Sequence, residues 1–367
     1  MKLRTTASQL LTLVSKVSDA VPQKPTEAIF ENIIITTIAD DVIAVHGGDG
    51  NLVATATGIV ESVDGDPVAV NCRKLMDILK VLPDSEIDLT ADGVTAMLKW
   101  SRGTHSLPVV DAKDYPPIPT LDEGIVLQME GMEFRDAIDH TLPCVASDEL
   151  RPIMGTILVD PDDDGKVNFV ASDAKVMTIS HKDVVVTPES KFCLPSVAAR
   201  IVRKAFRADD DVIFKQADKW LCVTDGNLMI YVRKVEGNFP NYKSVIPKGG
   251  SNVLSSPTSE LISSVRRAMA CADKDSNTVK LILSPMDVPS IEAHDLNFGL
   301  ASSESMDYAT YDGTEMDICL NAAKLHGVVS LYKSNSITIS LDTPNRAVLI
   351  SSESDSTLAL VMPVCGR

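Results

Sequence analysis

The stretch NCRKLMDILKVLPDSEIDLT, residues 71–90, recurs in altered form as LPSVAARIVRKAFRADDDVIFK at 194–215 and as NAAKLHGVVSLYKSNSITISLD at 321–342. Each copy opens with a residue that favours a helix start. The first and third begin with asparagine, whose side chain accepts a hydrogen bond from a free amide, and the second has Pro195, which presets φ. Apolar residues then recur at helical spacing, and an alternating apolar and polar segment follows. Each copy therefore predicts an amphipathic helix followed by a β-strand.

A second helical pattern precedes each of these copies. ASQLLTLVSKVSDAV begins at Ala7, GMEFRDAIDHTLPCV at Gly131 and TSELISSVRRAMACA at Thr258, so the starts lie 124 and then 127 residues apart. In every copy the apolar residues fall on one face of a helix. Because the same two elements return at nearly the same period, the sequence predicts a repeat architecture.

Three units account for nearly the whole chain. Proline and glycine accumulate at 115–124 and again at 246–252, which is typical of boundaries between units. A helix with a single apolar stripe packs that stripe on one face of a sheet. We therefore predict an α+β fold of three tandem units, each with two helices packed on antiparallel sheets, at residues 1–121, 122–247 and 248–367.

The charges of the chain are unevenly distributed. It carries 51 Asp and Glu against 34 Lys and Arg, a formal net charge of −17, yet residues 190–208 contain no carboxylate. Arg200, Arg203, Lys204 and Arg207 lie at i, i+3, i+4 and i+7 of the predicted helix in this segment. Exposed helix faces usually mix both signs, so a surface that faces a polyanion is one interpretation of this pattern. A solvated helix face is the alternative, and the charges by themselves leave both interpretations open.

The repeat predicts where this charged helix face could lie in an assembly of two chains. If each of three units contributes two helices and two chains close head to tail, twelve helices line a hole. At about 10 Å per helix the circumference is roughly 120 Å and the diameter ~38 Å. Duplex DNA is about 20 Å across, so it passes through such a hole with room for water.

Motifs of common enzymes and cofactor sites are missing from the sequence. The seven cysteines form no C-x-x-C, and the glycine-rich HGGDGN at 46–51 lacks the remaining residues of a phosphate-binding loop. We therefore predict no catalytic residue, no metal and no other cofactor. An enzyme whose site forms only in space, with Cys222 or His181, is one alternative. No long apolar segment or export signal stands out, which predicts a cytoplasmic protein without a membrane partner.

The acidic segment DPDDDGKVNFVA, residues 160–171, partly matches a calcium loop. It has Asp at positions 1, 3 and 5 and Gly at position 6, but position 12 is Ala171, where a bidentate Glu is needed. The flanking segments resemble strands. We therefore predict an acidic hairpin turn, and a calcium-dependent interaction protein is the alternative function.

Five segments, in chain order, are similar to segments of the bacterial β sliding clamps, the processivity subunits of DNA polymerase III: LPVVDAKDYPPIP from 107, RPIMGTILVD from 151, ASDAKVM from 171, FPNYKSVIPK from 239 and LVMPVCGR from 360. The resemblance implies three units of the DNA-clamp fold and a head-to-tail homodimeric ring that encircles duplex DNA without reading its sequence. It also implies that the replicative polymerase, the clamp loader, repair polymerases and mismatch-repair proteins dock through short hydrophobic peptides.

The same resemblance implies a peptide pocket and carries its residues onto this chain. Where relatives commonly have Gly-His-Arg, this chain has Ala174, Lys175 and Val176, and Ser244 replaces a common basic residue. These departures predict a preference that differs from the usual Gln-Leu-x-Leu-Phe type of peptide. The predicted pocket residues are Met154, Ser172, Ala174, Lys175, Val176, Met177, Pro240, Ser244, Val245, Arg346, Leu360, Met362, Pro363 and Val364.

Two further surfaces are expected. Lys24 and Arg73 match family positions that contact DNA, and the other members follow from the charged helices. Ring closure is expected to pair a strand near 104–108 with one near 297–308, with Thr104, His105, Leu107, Ala270 and Cys271 at the seam. The predicted DNA-facing residues are Lys24, Arg73, Lys80, Arg200, Arg203, Lys204, Arg207, Lys324 and Lys333.

Overall fold

In the computed structural model, helices and strands follow one another in an order that repeats three times. The structure describes residues 1–120, 124–148, 150–162, 164–184, 186, 191–217, 219–247 and 250–364. The first third of the chain contains β1 (Lys2–Thr6), α1 (Ala7–Ser18), β2 (Asn32–Ala39), β3 (Val42–Gly48), β4 (Leu52–Ile59), β5 (Ser62–Asp64), β6 (Val68–Asn71), α2 (Cys72–Val81), β7 (Glu86–Ala91), β8 (Thr95–Trp100) and β9 (Gly103–Val110).

The other two thirds follow the same order of strand, helix, strands, helix and three strands. The middle third contains β10 (Ile125–Glu130), α3 (Gly131–Thr141), β11 (Thr156–Pro161), β12 (Val167–Ser172), β13 (Val176–Lys182), β14 (Phe192–Pro195), α4 (Ser196–Ala205), β15 (Asp211–Gln216), β16 (Trp220–Thr224) and β17 (Leu228–Arg233). The last third contains β18 (Asn252–Pro257), α5 (Thr258–Met269), β19 (Thr278–Leu283), β20 (Ser290–Asp295), β21 (Leu300–Ser305), β22 (Thr310–Asp312), β23 (Met316–Asn321), α6 (Ala322–Val329), β24 (Ser336–Leu341), β25 (Val348–Ser351) and β26 (Thr357–Val361).

Local sequence signals set the helix starts, as predicted. The helices α1, α3 and α5 begin at residues 7, 131 and 258. Asn71 caps α2 by accepting a hydrogen bond from the Lys74 amide at 3.1 Å, and Asn321 caps α6 in the same way through the Lys324 amide at 3.0 Å. Each cap satisfies an amide that has no partner inside its own helix.

Contacts between Cα atoms divide the chain into two compact units, and the first comprises Met1–Phe134 and Val197–Lys234. It contains one 13-stranded sheet in the order β10-β15-β16-β17-β4-β3-β2-β6-β9-β8-β7-β1-β5. The apolar stripe of α1, with Leu10, Val14 and Val17 fully buried, packs against β3, β4 and α2. Burial of this stripe leaves the polar side of the helix outside the core.

The second unit comprises Arg135–Ser196 and Val235–Arg367. It contains a nine-stranded sheet in the order β14-β11-β12-β13-β26-β25-β24-β18-β22 and a four-stranded sheet in the order β21-β20-β19-β23. The helix α5 packs on β18 to β21, and α6 contacts α5, β13, β23 and β26. All strand pairs in the described residues of both units are antiparallel, which confirms the predicted α+β class with helices on antiparallel sheets.

Strand pairing between repeats explains why the compact units number two. β17 pairs with β4, and β13 pairs with β26, so each sheet that forms these pairs contains strands from two thirds of the chain. The threefold order of elements agrees with the predicted repeat. The division at 1–121, 122–247 and 248–367 stays a prediction, because both internal boundaries adjoin residues outside the described ranges.

A carboxylate on α3 forms the centre of a partly buried ion-pair network in the second unit. Asp136 accepts hydrogen bonds from the ammonium groups of Lys182 and Lys333, each at 2.7 Å, and lies 3.4 Å from Nδ1 of His140. The hydrogen bond with His140 lowers the pKa of Asp136 most, and the two lysines add to this effect, which outweighs the opposing effect of burial. The Lys182 side chain is only 4% exposed, so its ion pair with Asp136 is shielded from water.

Substitution of Asp136 by Asn is expected to lower the free energy of unfolding at pH 7 by about 3 kcal/mol, because the network loses the carboxylate that Lys182, Lys333 and His140 share. The pKa of Asp136 is lower in the folded than in the unfolded chain. Its stabilising contribution is therefore complete above the unfolded pKa of about 3.9 and decreases as the pH falls below it.

Urea unfolding of both proteins between pH 7 and pH 3 checks this prediction. Burial lowers the pKa of His140, but its contacts with Asp136 outweigh this and raise it, so the pair strengthens as this imidazole is protonated. The difference between wild type and variant should therefore stay large from pH 7 to about pH 5 and should shrink below about pH 4. Asp183→Asn, which removes an exposed partner of Lys166, serves as the control and should leave the unfolding midpoint nearly unchanged. A difference that stays constant down to pH 3 contradicts the assignment.

Candidate functional site

An apolar cavity of about 700 Å³ opens in the second compact unit. This volume lies within the usual range of ligand pockets. Four segments of the chain form its walls: the β12–β13 turn, the stretch before β11, the loop after β17 and the end of β26. The lining residues are Leu150, Arg151, Pro152, Ile153, Met154, Ser172, Ala174, Lys175, Val176, Met177, Glu236, Gly237, Asn238, Phe239, Pro240, Asn241, Tyr242, Val245, Leu360 and Met362.

Ten of the fourteen residues of the predicted peptide pocket lie together in this lining. The four that do not are engaged elsewhere. Ser244 donates its hydroxyl to the Asn241 carbonyl, and Arg346 forms an ion pair with Asp342. Pro363 pairs with Leu320 in an isolated bridge, and the amide of Val364 donates to the Cys319 carbonyl. The ten are Met154, Ser172, Ala174, Lys175, Val176, Met177, Pro240, Val245, Leu360 and Met362.

Half of the cavity wall was not predicted from the sequence. It consists of Leu150–Ile153 and of most of the loop from Glu236 to Tyr242. Leu150 lines the cavity and is 91% exposed, so it adds solvent-accessible apolar surface there. The signal that the sequence offers is Phe239, an aromatic residue beside proline and glycine in a loop.

The back of the cavity is part of the hydrophobic core. Met177, Tyr242 and Leu360 belong to one buried cluster, against which Phe239 packs. The Tyr242 hydroxyl donates to Oδ2 of Asp160 at 2.8 Å, and Lys191 also pairs with this carboxylate. Burial raises the pKa of Asp160, but the hydrogen bonds from Lys191 and Tyr242 outweigh it and keep the pKa below its ordinary value.

These contacts argue against a calcium loop at residues 160–171. Asp160 holds the pocket wall through Tyr242, and its segment forms the predicted hairpin of β11 and β12, although residue 163 lies outside the described residues. Ala171, at the position of the required glutamate, is a buried residue of β12. Among the described residues no group of His, Cys, Asp or Glu is arranged to hold a metal ion.

The turn between β12 and β13 forms one wall of the cavity and is held by side chains. Oδ1 of Asp173 accepts hydrogen bonds from the amides of Lys175 and Val176, both at 2.8 Å. Ser172 accepts from the Ala174 amide at 3.1 Å and donates to the Val176 carbonyl at 2.8 Å. Ala174 has φ +70°, a left-handed conformation that favours glycine.

The nine predicted DNA-facing cations fall into three groups. Three form ion pairs: Lys204 with Asp19 and Lys333 with Asp136, both at 2.7 Å, and Lys324 with Asp173 at 2.5 Å. Arg203 on α4 is partly buried. The remaining five are exposed, and within the described part of the chain their side chains form no ion pair: Lys24, Arg73, Lys80, Arg200 and Arg207.

Two of the exposed cations border a polar groove of about 670 Å³ in the first compact unit. Arg73 and Lys80 line it together with Lys74, beside the end of α1. Asp19 and Asp77 also contribute, so the groove mixes both signs. The exposed face of α2 therefore carries both signs of charge, whereas the charged residues of α4 are all positive.

The residues predicted for a dimer seam lie at two strand edges. In the first unit, β9 pairs with β8 along its length but with β6 only at Val109 and Val110, so residues 103–108 present an open edge as far as the described chain shows. Leu107 is buried and offers only its main chain there. Thr104 is exposed and His105 is partly exposed.

In the second unit, β21 is the edge strand of the four-stranded sheet. Ala270 is exposed and Cys271 partly exposed just after α5, which packs on this sheet. Leu296 and Phe298, in the turn before β21, are 93% and 72% exposed. Phe298 falls within the predicted seam segment, but neither apolar residue was singled out from the sequence.

The two candidates for a spatially assembled enzyme site belong to different compact units. Cys222 is in the first unit and His181 in the second. Burial raises the pKa of the Cys222 thiol to about 12, so it carries almost no thiolate at neutral pH. His181 contacts Asn168 and two aspartates at the acidic hairpin.

No described helix is both long and apolar enough to cross a membrane.

Comparison with known proteins gives one consistent result. Residues 1–119 match the N-terminal domain, and residues 243–365 the C-terminal domain, of the DNA polymerase III beta subunit family. The chain is 24% identical to a beta sliding clamp of Synechococcus elongatus, with 99% of both chains covered, and 21% identical to one of Pseudomonas aeruginosa, with 97% covered. The crystal structure of the DNA polymerase III subunit beta from Pseudomonas aeruginosa superposes with a TM-score of 0.93 at 20% identity, covering 100% of both chains.

Replacement of Ala174 by glycine is expected to stabilise the protein. The left-handed conformation disfavours an alanine side chain, so relief of this strain should raise the free energy of unfolding by about 0.5 kcal/mol or more. The measurement is the urea unfolding midpoint. Ala323→Gly, at an exposed position of α6, is the matched control and should destabilise by up to ~1 kcal/mol. Equal losses in both variants would contradict the assigned strain.

Proposed function

Because this chain belongs to the DNA polymerase III beta subunit family of beta sliding clamps, and is therefore a DNA polymerase processivity factor, we propose that it acts as a closed ring. Two chains join head to tail around duplex DNA, and the apolar pocket tethers the polymerase. The observation that carries this proposal is the threefold return of the helix pair and its sheets along one chain.

The proposed interaction with DNA is electrostatic and weak. When binding depends on phosphate neutralisation, the logarithm of the binding constant falls with the logarithm of the salt concentration, with a slope of about −0.9 for each phosphate contacted. Many tight contacts would also hinder movement along the DNA. Only five of the predicted cations are exposed without an ion pair in the described chain, among them Arg200 and Arg207. Two chains of −17 each carry a formal charge of −34, which discourages DNA from binding to the outer surface.

Partners are proposed to dock in the apolar cavity as short hydrophobic peptides. Val245 is 57% and Met362 44% exposed, so both present apolar surface to a ligand. These partners include the replicative polymerase subunit, the clamp loader, repair polymerases and mismatch-repair proteins. The altered turn at Ala174–Val176 and the engagement of Ser244 with its own loop support a peptide preference shifted from the Gln-Leu-x-Leu-Phe type.

Ring closure is proposed to join β9 of one chain to β21 of the other. Unpaired strand edges readily accept another strand, and a head-to-tail contact uses two different edges of the same chain. The exposed Phe298 and Leu296 would then be covered by the partner. The role requires neither catalysis nor a cofactor, and we propose a non-enzymatic protein of the cytoplasm.

Reversal of two charges on and beside α4, Arg200→Glu with Arg207→Glu, is expected to shorten retention on nicked circular DNA. The new carboxylates would face the phosphates, whereas the mass of the protein in solution should stay that of the dimer. Lys2→Glu with Lys219→Glu, at exposed positions of the same unit, makes an equal change of net charge and should leave retention unchanged. Equal retention of both double variants removes α4 from the DNA path.

The pocket is tested by Val245→Asp, which places a charge in an apolar site without disturbing the core. Fluorescence anisotropy with a labelled Gln-Leu-Ser-Leu-Phe peptide should show binding to the wild type. The variant should bind about tenfold more weakly or worse, while its retention on DNA is unchanged. Peptide affinity that survives the substitution would refute the pocket assignment.

A further inference from the structure

Lys324 is held in a different environment from the exposed cations of α2 and α4. It lies in the first turn of α6, where its amide donates to the cap residue Asn321 at 3.0 Å. Its side chain extends to the β12–β13 turn, where Nζ donates to Oδ2 of Asp173 at 2.5 Å. The ammonium group is therefore directed toward the wall of the apolar pocket.

Asp173 connects this ammonium to the main chain of the pocket wall. While Oδ2 accepts from Lys324, Oδ1 accepts from the amides of Lys175 and Val176. Its side chain is only 15% exposed, so the carboxylate has little access to water. Burial raises the pKa of Asp173, but the hydrogen bond from Lys324 and the two amides outweigh it and lower the pKa.

The geometry of the pocket depends on this turn. Ala174 and Lys175 line the cavity, and the Lys175 carbonyl accepts a hydrogen bond from the Met362 amide at 2.8 Å. The turn thus also sets the position of Met362 on the opposite strand end. Ala174 adopts its left-handed conformation inside the same turn, so the fixed carboxylate opposes a strained backbone.

We propose that Lys324 is a positioning residue of the peptide pocket: through Asp173 it holds the Ala174–Val176 turn in the shape that receives a partner peptide. This inference rests on the proposed function of the pocket, and it reassigns a residue that the charge pattern alone places among the DNA-facing cations. A buried carboxylate with two amide donors and no cation would be poorly compensated, so loss of Lys324 loosens the turn.

Lys324→Met tests the proposal, because methionine keeps much of the side-chain length but removes the charge. Affinity for the labelled Gln-Leu-Ser-Leu-Phe peptide should fall by about fivefold, the scale at which a residue outside the ligand contact modulates a site. Lys324→Arg retains a cation and should restore most of the affinity. Lys113→Met, at an exposed position without an ion pair in the described chain, is the matched control and should bind the peptide as wild type does.

A double-mutant cycle tests whether Lys324 acts on the pocket through Asp173. In an Asp173→Asn background, where the carboxylate is already absent, Lys324→Met should cause little further loss of affinity. Additive losses would show that Lys324 acts by another route and would overturn the proposal. Unchanged affinity of the single Lys324→Met variant would do the same.

Hydrogen exchange of the unliganded protein separates this inference from the proposed function. In Lys324→Met the amides of Lys175 and Val176 should exchange about tenfold faster than in wild type, because their acceptor is no longer fixed. Failure of the wild type to bind this peptide and every member of a panel of short hydrophobic peptides refutes the proposed pocket function but leaves the exchange measurement decisive for the turn. Unchanged exchange of both amides overturns the proposal for Lys324.

Discussion

Every helix of this chain that begins a repeat has one apolar stripe, and burial of that stripe against a sheet is the constraint from which the rest follows. The stripe of α1 on β3 and β4 and that of α5 on β18 to β21 leave the opposite, polar faces outside the core. A chain that repeats this arrangement three times has several polar helix faces to present to a partner. Their composition then bears on function, because one fold can present different side chains on such faces.

Fewer cations on these faces are available to bind DNA than the sequence suggests. Lys204, Lys324 and Lys333 each form an ion pair with a carboxylate, so part of the positive charge stabilises the protein or shapes the pocket. A smaller set of cations stays exposed to solvent in a strongly acidic protein. Such a set suits the proposed ring, which would be retained on DNA by topology rather than by affinity.

Local features were predictable from the sequence, and contacts between distant segments were not. The helix starts at Ala7, Gly131 and Thr258 and the Asn71 and Asn321 caps follow from signals within a few residues. The pairing of β4 with β17 and of β13 with β26 joins segments far apart in sequence, which no local pattern reveals. For the pocket, family resemblance located ten of its residues. It missed the wall from Glu236 to Phe239, whose role depends on how the loop after β17 folds over the core.

The most direct test of the account compares retention of the purified protein on nicked circular plasmid and on the same plasmid after linearisation, once it has been loaded and the salt raised. A closed ring held by topology slides off free ends, so the account predicts long retention on the circle and rapid loss from the linear form. Equal rates of loss from the two DNAs would contradict it, because they would show that local contacts, and not enclosure, hold the protein on DNA.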